Sequence, residues 1–268
     1  MIDELYITGA GVSASSGIPT FRGHDGFWTV GSVNYTPQEM ATRSMYENNP
    51  ADFLLWYFKR FASYRDVEPN LAHFWLADKK LITQNIDGLD GKAGNKNYIS
   101  IHGRLDKVVY YKNEMEEQEP FDANWDDIDL SSDPSDEVLK KKLLEKFNIH
   151  YVNDRFIPQK GGSLKPYVLL FDEIYTDIYR ISEAEDWMNK AQKIIFIGTS
   201  FSVNITSSAL RIAISRGIKV DIVDPNPIKI NYDKVNYHQM NAEEYSNFRN
   251  LNWLLFINRY PCCTCISS

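Results

Sequence analysis

Short, almost unbroken apolar runs, alternating with segments of helical periodicity, constrain this chain more than any other feature. Tyr167-Val168-Leu169-Leu170-Phe171 and Ile194-Ile195-Phe196-Ile197 carry no charge, so a strand built from either must bury both faces, as strands of parallel sheets do. Candidate strands fall at 4–8, 80–83, 98–101, 167–171, 194–198 and 219–223, and candidate helices at 50–63, 70–77, 137–147, 181–191 and 204–216. That alternation predicts an α/β fold, a parallel sheet with helices on both faces. At 268 residues and 43% hydrophobic, the chain suffices for one large domain, alone or with a small satellite.

Charge and composition narrow the function. A net charge of −7 argues against a nucleic-acid or membrane-surface binder, which needs a basic face. No apolar stretch approaches the roughly 18 residues of a membrane span, and no signal peptide is evident, so a cytoplasmic location is expected. Cys262, Cys263 and Cys265 are the only cysteines, which excludes a disulfide framework. Residues 113–137 contain no Lys or Arg and are interrupted by Pro120 and Pro134, which predicts a solvated or mobile insertion.

Chemistry-bearing motifs sit where the strands end. After Leu5-Tyr6-Ile7 comes GAGVSASSGIPTFRG, residues 9–23, in which Gly9, Gly11 and Ala14 match G-x-G-x-x-G/A. The spacing predicts a strand, a tight turn and a helix start, with helix N–H groups offered to a pyrophosphate. The pattern alone is equally a strand-to-helix packing turn, and the acid usually found about 20 residues on, at a second strand end, is missing. TQNIDGLD (83–90), His102-Gly103, GTSFSV (198–203) and DPNP (224–227) follow other strands. Ligands of open α/β sheets bind outside the carboxyl ends of the strands, so these segments are expected to converge.

Taken together, GAGVSASSGIPTFRG, TQNIDGLD, IHG, GTSFSV and the late Asn226, with EPNLAHFWL at 68–76, resemble the sirtuins, protein deacylases that consume NAD. The resemblance covers most of residues 5–230. It implies a Rossmann-like NAD-binding domain over 1–21, 64–105 and 166–245, a small domain over 22–63 and 106–165, and a C-terminal tail at 246–268. It further implies NAD contacts from Gly9, Ala10, Gly11, Ser13, Phe21, Arg22, Gln84, Gly198, Thr199, Ser200 and Asn226. Arg22 would meet a phosphate or stabilise the loop over it, and Phe21 would cover the ribose face once nicotinamide leaves. Asn85 and Asp87 would hold the nicotinamide ribose and carboxamide, and His102 would be the general base. An imidazole of ordinary pKa, about 6.5, suits proton removal from a ribose hydroxyl near neutral pH. The expected products are nicotinamide and O-acyl-ADP-ribose, and the expected partner is an acylated protein lysine. With water or a protein side chain as acceptor, the same chemistry would make the chain an NADase or ADP-ribosyltransferase.

Departures from the family accompany the matches. Residues 106–165 hold no cysteine, so the usual four-cysteine zinc module is missing and no metal is expected. The insertion is expected to fold by pairing Val108-Val109-Tyr110-Tyr111 with Tyr151-Val152. Phe171-Asp172-Glu173 stands where the family usually has Phe-Gly-Glu in the strand that pairs with substrate peptide. Asp90 stands where a histidine is common. Tyr57 and Arg60 resemble the Y-x-x-R of sirtuins that remove succinyl or malonyl groups, and at i, i+3 they share a helix face on which they could hold an acyl carboxylate, although an aromatic segment equally explains Tyr57 as core.

Overall fold

The computed structural model describes residues 1–20, 35–125, 127, 128, 130 and 134–259, with backbone alone from 252 onward. Its strands are β1 (Leu5–Thr8), β2 (Lys80–Thr83), β3 (Ile99–Ser100), β4 (Gly103–Tyr110), β5 (Phe121–Asp122), β6 (His150–Val152), β7 (Arg155–Ile157), β8 (Leu164–Val168), β9 (Lys193–Ile197), β10 (Lys219–Val223) and β11 (Val235–His238). Its helices are α1 (Pro37–Met40), α2 (Arg43–Asn48), α3 (Pro50–Tyr64), α4 (Leu71–Leu76), α5 (Leu89–Lys92), α6 (Asp136–Lys146), α7 (Ile181–Lys190), α8 (Asn204–Arg216) and α9 (Ala242–Arg259).

The large sheet is parallel throughout and runs β11-β10-β9-β1-β2-β3. Side chains alternate across it. Leu5, Ile7, Ile82, Ile194, Phe196 and Ile222 face α7 and α8, where Trp187, Met188, Ala209 and Ala213 complete one core. Tyr6, Leu81, Ile195, Ile197 and Val223 face the other way, onto Ala72, Leu76 and Tyr245 of α4 and α9. Because β1 lies at the centre, the chain leaves it first toward β2 and β3 and later toward β9, β10 and β11. The strand order therefore reverses between β1 and β9, the place where an open α/β sheet leaves a crevice at its carboxyl end.

A separate core gathers α3, α6 and β4. Phe53, Leu54, Phe58 and Phe61 pack there with Leu105, Val108, Leu139, Leu143 and Phe147. Trp125, fully buried, stacks on Phe61 at 5.1 Å and lies 5.4 Å from Phe147. The expectation of a solvated acidic insertion is thereby corrected: Ala123, Trp125 and Ile128 are buried in this core. An acidic composition describes the average residue of 113–137, whereas one indole outweighs it in area removed from water.

Two strand expectations also change. The run expected at 167–171 forms a strand only to Val168, and it lies outside the large sheet, antiparallel to β4 in the order β5-β4-β8. Continuous burial suits a strand in either sheet and cannot choose between them. Pro166 fits because β8 is an edge strand of that sheet, where a missing N–H leaves no gap in the ladder. Val108 and Val109 therefore pair with Pro166 and Lys165, not with Tyr151-Val152, which instead fold back on Arg155-Phe156 in a hairpin. Asn153 and Asp154, at φ +49° and +62°, supply its two-residue turn.

From residue 246 the chain is helical to Arg259, within α9, and Arg249 donates to Glu4 at 2.8 Å. Cys262, Cys263 and Cys265 lie outside the described residues. Among the described residues, no helix is long and apolar enough to cross a membrane, and no group of three His, Cys, Asp or Glu side chains could hold a metal ion.

Candidate active site at the carboxyl end of the sheet

The glycine-rich turn after β1 is shaped by its neighbour after β9. Gly9 N–H donates to Ile197 O at 3.1 Å and Gly11 N–H to Gly198 O at 3.0 Å. A Cβ on Gly11 would lie 2.6 Å from Gly198 Cα, and one on Gly9 would lie 2.8 Å from Gly198 O. Absent side chains thus let two turns touch across the strand-order reversal. The expected helix start is not formed: Ala10–Val12 and Ala14–Ser16 are 3₁₀ turns, too short to sum a dipole. The helix that does present its first turn to the crevice is α8, whose Asn204, with Ser202 and Val203 before it, lines the cavity.

That cavity measures about 1120 Å³. Gly9, Ala10, Gly11, Gln84, His102, Gly198, Thr199, Ser200 and Asn226 line it, as do Tyr57 and Glu173. Gln84 bridges three strand ends by donating from Nε2 to Thr8 O at 2.9 Å and to Thr199 Oγ1 at 3.1 Å.

Ser13, Asn85 and Asp87 form one hydrogen-bonded cluster against the glycine turn, with Asn85 Nδ2 also donating to Gly9 O at 3.2 Å. Ser13 Oγ donates to Asp87 Oδ2 at 2.7 Å and accepts from Asn85 Nδ2 at 3.1 Å. His73, which the sequence reading did not single out, completes it. Asn70 N–H donates to His73 Nδ1, so the ring proton sits on Nε2 and points at Ser13 Oγ, 3.4 Å away. Burial holds Asp87 above the ordinary carboxyl range against its bonds from Leu89 N–H and Ser13. Asp90, in the family's histidine position, is pushed to about 7 by burial and then by Asp87. Asn85 Oδ1 is buried and has no hydrogen-bond partner among the described residues.

His102 closes the other side. Its Nδ1 lies 2.9 Å from Gln84 O, which only accepts, so Nδ1 carries the proton and Nε2 is the basic nitrogen. Nε2 meets Tyr175 Oη at 2.8 Å. Burial lowers the ring pKa to about 4, only partly opposed by the bond to Gln84, so the expected titration near 6.5 is corrected downward. Tyr175 also lines the cavity. No spacing or motif in the sequence marks it.

Asp172 and Glu173 occupy a turn after β8 rather than the expected peptide strand. Asp172 accepts from the N–H groups of Arg43 and Ser44 at 2.6 and 3.1 Å, which caps the first turn of α2 and removes its carboxylate from the cavity. Glu173 is held between Arg43 and Lys165 at 3.0 and 2.9 Å. Arg60 is not among the cavity residues, for its guanidinium lies 3.4 Å over the Trp56 ring and donates to Trp56 O. Phe21 and Arg22 lie outside the described residues.

The buried His73 yields a pH prediction. Burial lowers its pKa to about 4, below the roughly 6.5 of an unfolded histidine. The unfolded chain therefore binds more protons in that window, and the stability His73 allows is complete above pH 6.5 and lost as pH falls toward 4. His73→Gln removes this one dependence while every other group cancels in the comparison. Urea unfolding of both proteins is expected to show the variant gaining about 2 kcal/mol on the wild type between pH 8 and pH 5. A pH-independent difference would mean that His73 titrates in the fold as it does in the unfolded chain.

Comparisons with known proteins agree with this geometry. The Sir2 family profile matches residues 9–205. The NAD-dependent protein deacylase 1 of Caldanaerobacter subterraneus subsp. tengcongensis is 32% identical over 250 residues, covering 90% of each chain. A histidine-to-asparagine mutant of a Sir2 homologue in complex with ADP-ribose superimposes with a TM-score of 0.71 at 28% identity, covering 95% of this chain and 93% of the other. A Sir2 homologue bound to NAD gives 0.68 at 28% identity, with 94% and 90% covered.

Proposed function

The chain belongs to the Sir2 family, and on that premise we propose that it is an NAD-dependent protein lysine deacylase. The observation that carries the reading is His102: proton fixed on Nδ1, base nitrogen directed to the cavity side, at the sheet end where the glycine turns of β1 and β9 meet. NAD fits the residues present. Asn85 Oδ1 is a buried acceptor in want of a donor, such as an amide N–H or a ribose hydroxyl, and the first turn of α8 offers N–H groups to a phosphate. Bound there, NAD supplies nicotinamide as leaving group and ADP-ribose as acyl acceptor.

The chain's own residues then divide the work. Asn85 and Asp87, locked by Ser13, orient the reacting end and present preorganised dipoles to positive charge developing on the sugar. Gln84 holds the glycine turns in register and, through its carbonyl, holds the base. Ser200 and Asn226 serve the adenosine side. His102 Nε2 takes up a proton as acyl transfer proceeds.

The acyl chain meets Tyr57, Ala41, Ile86, Val168 and Leu170, a largely apolar wall. With Arg60 turned onto Trp56 and away from this wall, an uncharged acyl group fits better than succinyl or malonyl. The test incubates the protein with NAD and either acetyl-lysine or succinyl-lysine peptide and identifies products by mass. O-acetyl-ADP-ribose is expected, with kcat/KM for acetyl exceeding that for succinyl by about tenfold or more. A succinyl preference abolished by Arg60→Met would restore the acidic-acyl reading.

A further inference from the structure

We propose that Tyr175 is a proton relay to His102, beside which it lines the cavity. This rests on the assignment of His102 as the base. With Nδ1–H committed to Gln84 O, a neutral imidazole has one lone pair, on Nε2, and Tyr175 Oη occupies it at 2.8 Å. Nε2 has no proton to give, so the phenol donates. The phenol proton thus has His102 as its acceptor.

Neighbouring tyrosines are used differently. Tyr46 and Tyr167 donate to the backbone carbonyls of Leu164 and Ile178 at 2.6 and 2.7 Å, the ordinary way of satisfying a buried phenol. Tyr175 lines the cavity and donates to a side-chain base. A substrate hydroxyl reaching this pair from the cavity therefore finds the Nε2 lone pair taken by the phenol, whose oxygen is left to accept its proton.

The step balances without a further reactant. The incoming hydroxyl gives its proton to Tyr175 Oη while the original phenol O–H breaks toward Nε2. One N–H bond forms, the tyrosine ends neutral, His102 becomes an imidazolium, and the hydroxyl oxygen keeps the electron pair with which it attacks the acyl carbon. Burial holds the free phenol neutral, with its pKa pushed up to about 12, so the pair begins as neutral tyrosine and neutral histidine.

Tyr175→Phe keeps the ring and removes the relay, and Tyr175→Phe and His102→Ala are compared with wild type by two readouts. In the free protein, nitrogen NMR is expected to show His102 Nδ1 still protonated in Tyr175→Phe, with the Nε2 resonance moved by loss of the phenol bond. In single turnovers with NAD and acetyl-lysine peptide, Tyr175→Phe is expected to release nicotinamide at the wild-type rate and to transfer the acyl group about 10- to 100-fold more slowly. The solvent-isotope dependence of transfer is expected to change from curved, two protons in flight, to linear, one proton. Transfer at or above the wild-type rate in Tyr175→Phe, or a linear dependence in the wild type, overturns the relay while a slow His102→Ala leaves the base assignment standing. Undiminished transfer in His102→Ala overturns the base assignment and the relay with it.

Discussion

Replacing His102 by alanine is expected to slow acyl transfer by about 10² to 10⁴, the usual contribution of a positioned general base, while NAD affinity stays within about twofold. The affinity survives because the ring's own contacts are to Gln84 O and Tyr175, not to the glycine turns or to the Ser13-Asn85-Asp87 cluster. Single-turnover kinetics and calorimetric NAD titration separate the two effects. With a pKa near 4, His102 is already unprotonated at pH 5, so wild-type transfer is expected to stay level from pH 7 to about pH 5. Loss of NAD binding together with activity would show that His102 serves the fold, and an inflection near 6.5 would show that the ring is more hydrated than its burial implies.

Gly103→Ala is expected to be the most damaging single methyl in this part of the chain, at about 3 to 5 kcal/mol. Gly103 has φ +82°, and a Cβ there would lie 2.0 Å from Tyr167 O. The residue is the corner at which the parallel sheet gives way to β4, and Leu169 N–H donates to His102 O across it. Moving β8 away to admit the methyl would also move Tyr175 from the base it touches. Gly17→Ala is the control: φ is +86°, but nothing among the described residues lies within 4 Å of the added Cβ. It is expected to cost about 1 kcal/mol, the backbone conformation alone. Urea unfolding of both variants checks this, and equal losses would mean that the contact with Tyr167 relaxes freely.

Why some of this could be read from the chain and some could not follows from what each signal measures. Strands buried on both faces announce themselves as unbroken apolar runs, so β1, β2, β9 and β10 were legible to within a residue. The same signal misplaced 167–171, because burial on both faces does not name the sheet. The glycines at 9 and 11 were legible as a turn, but one of their reasons, contact with Gly198, joins segments far apart in sequence. Trp125 was hidden by the acids around it. The downward shift of His102 was equally invisible, since residue type gives the ordinary pKa and only burial gives the displacement. Tyr175 and His73 were missed for a shared reason: each acquires its role from one partner brought to it by the fold.

The most direct test of the account is nicotinamide release from NAD, followed by chromatography, with and without an acetyl-lysine peptide. The account predicts slow release from NAD alone, a rise of about a hundredfold or more with peptide, and one deacylated peptide formed for each nicotinamide released. Release at the same rate with and without peptide, or release that outruns deacylation, would contradict it and identify water or a protein side chain as the acceptor.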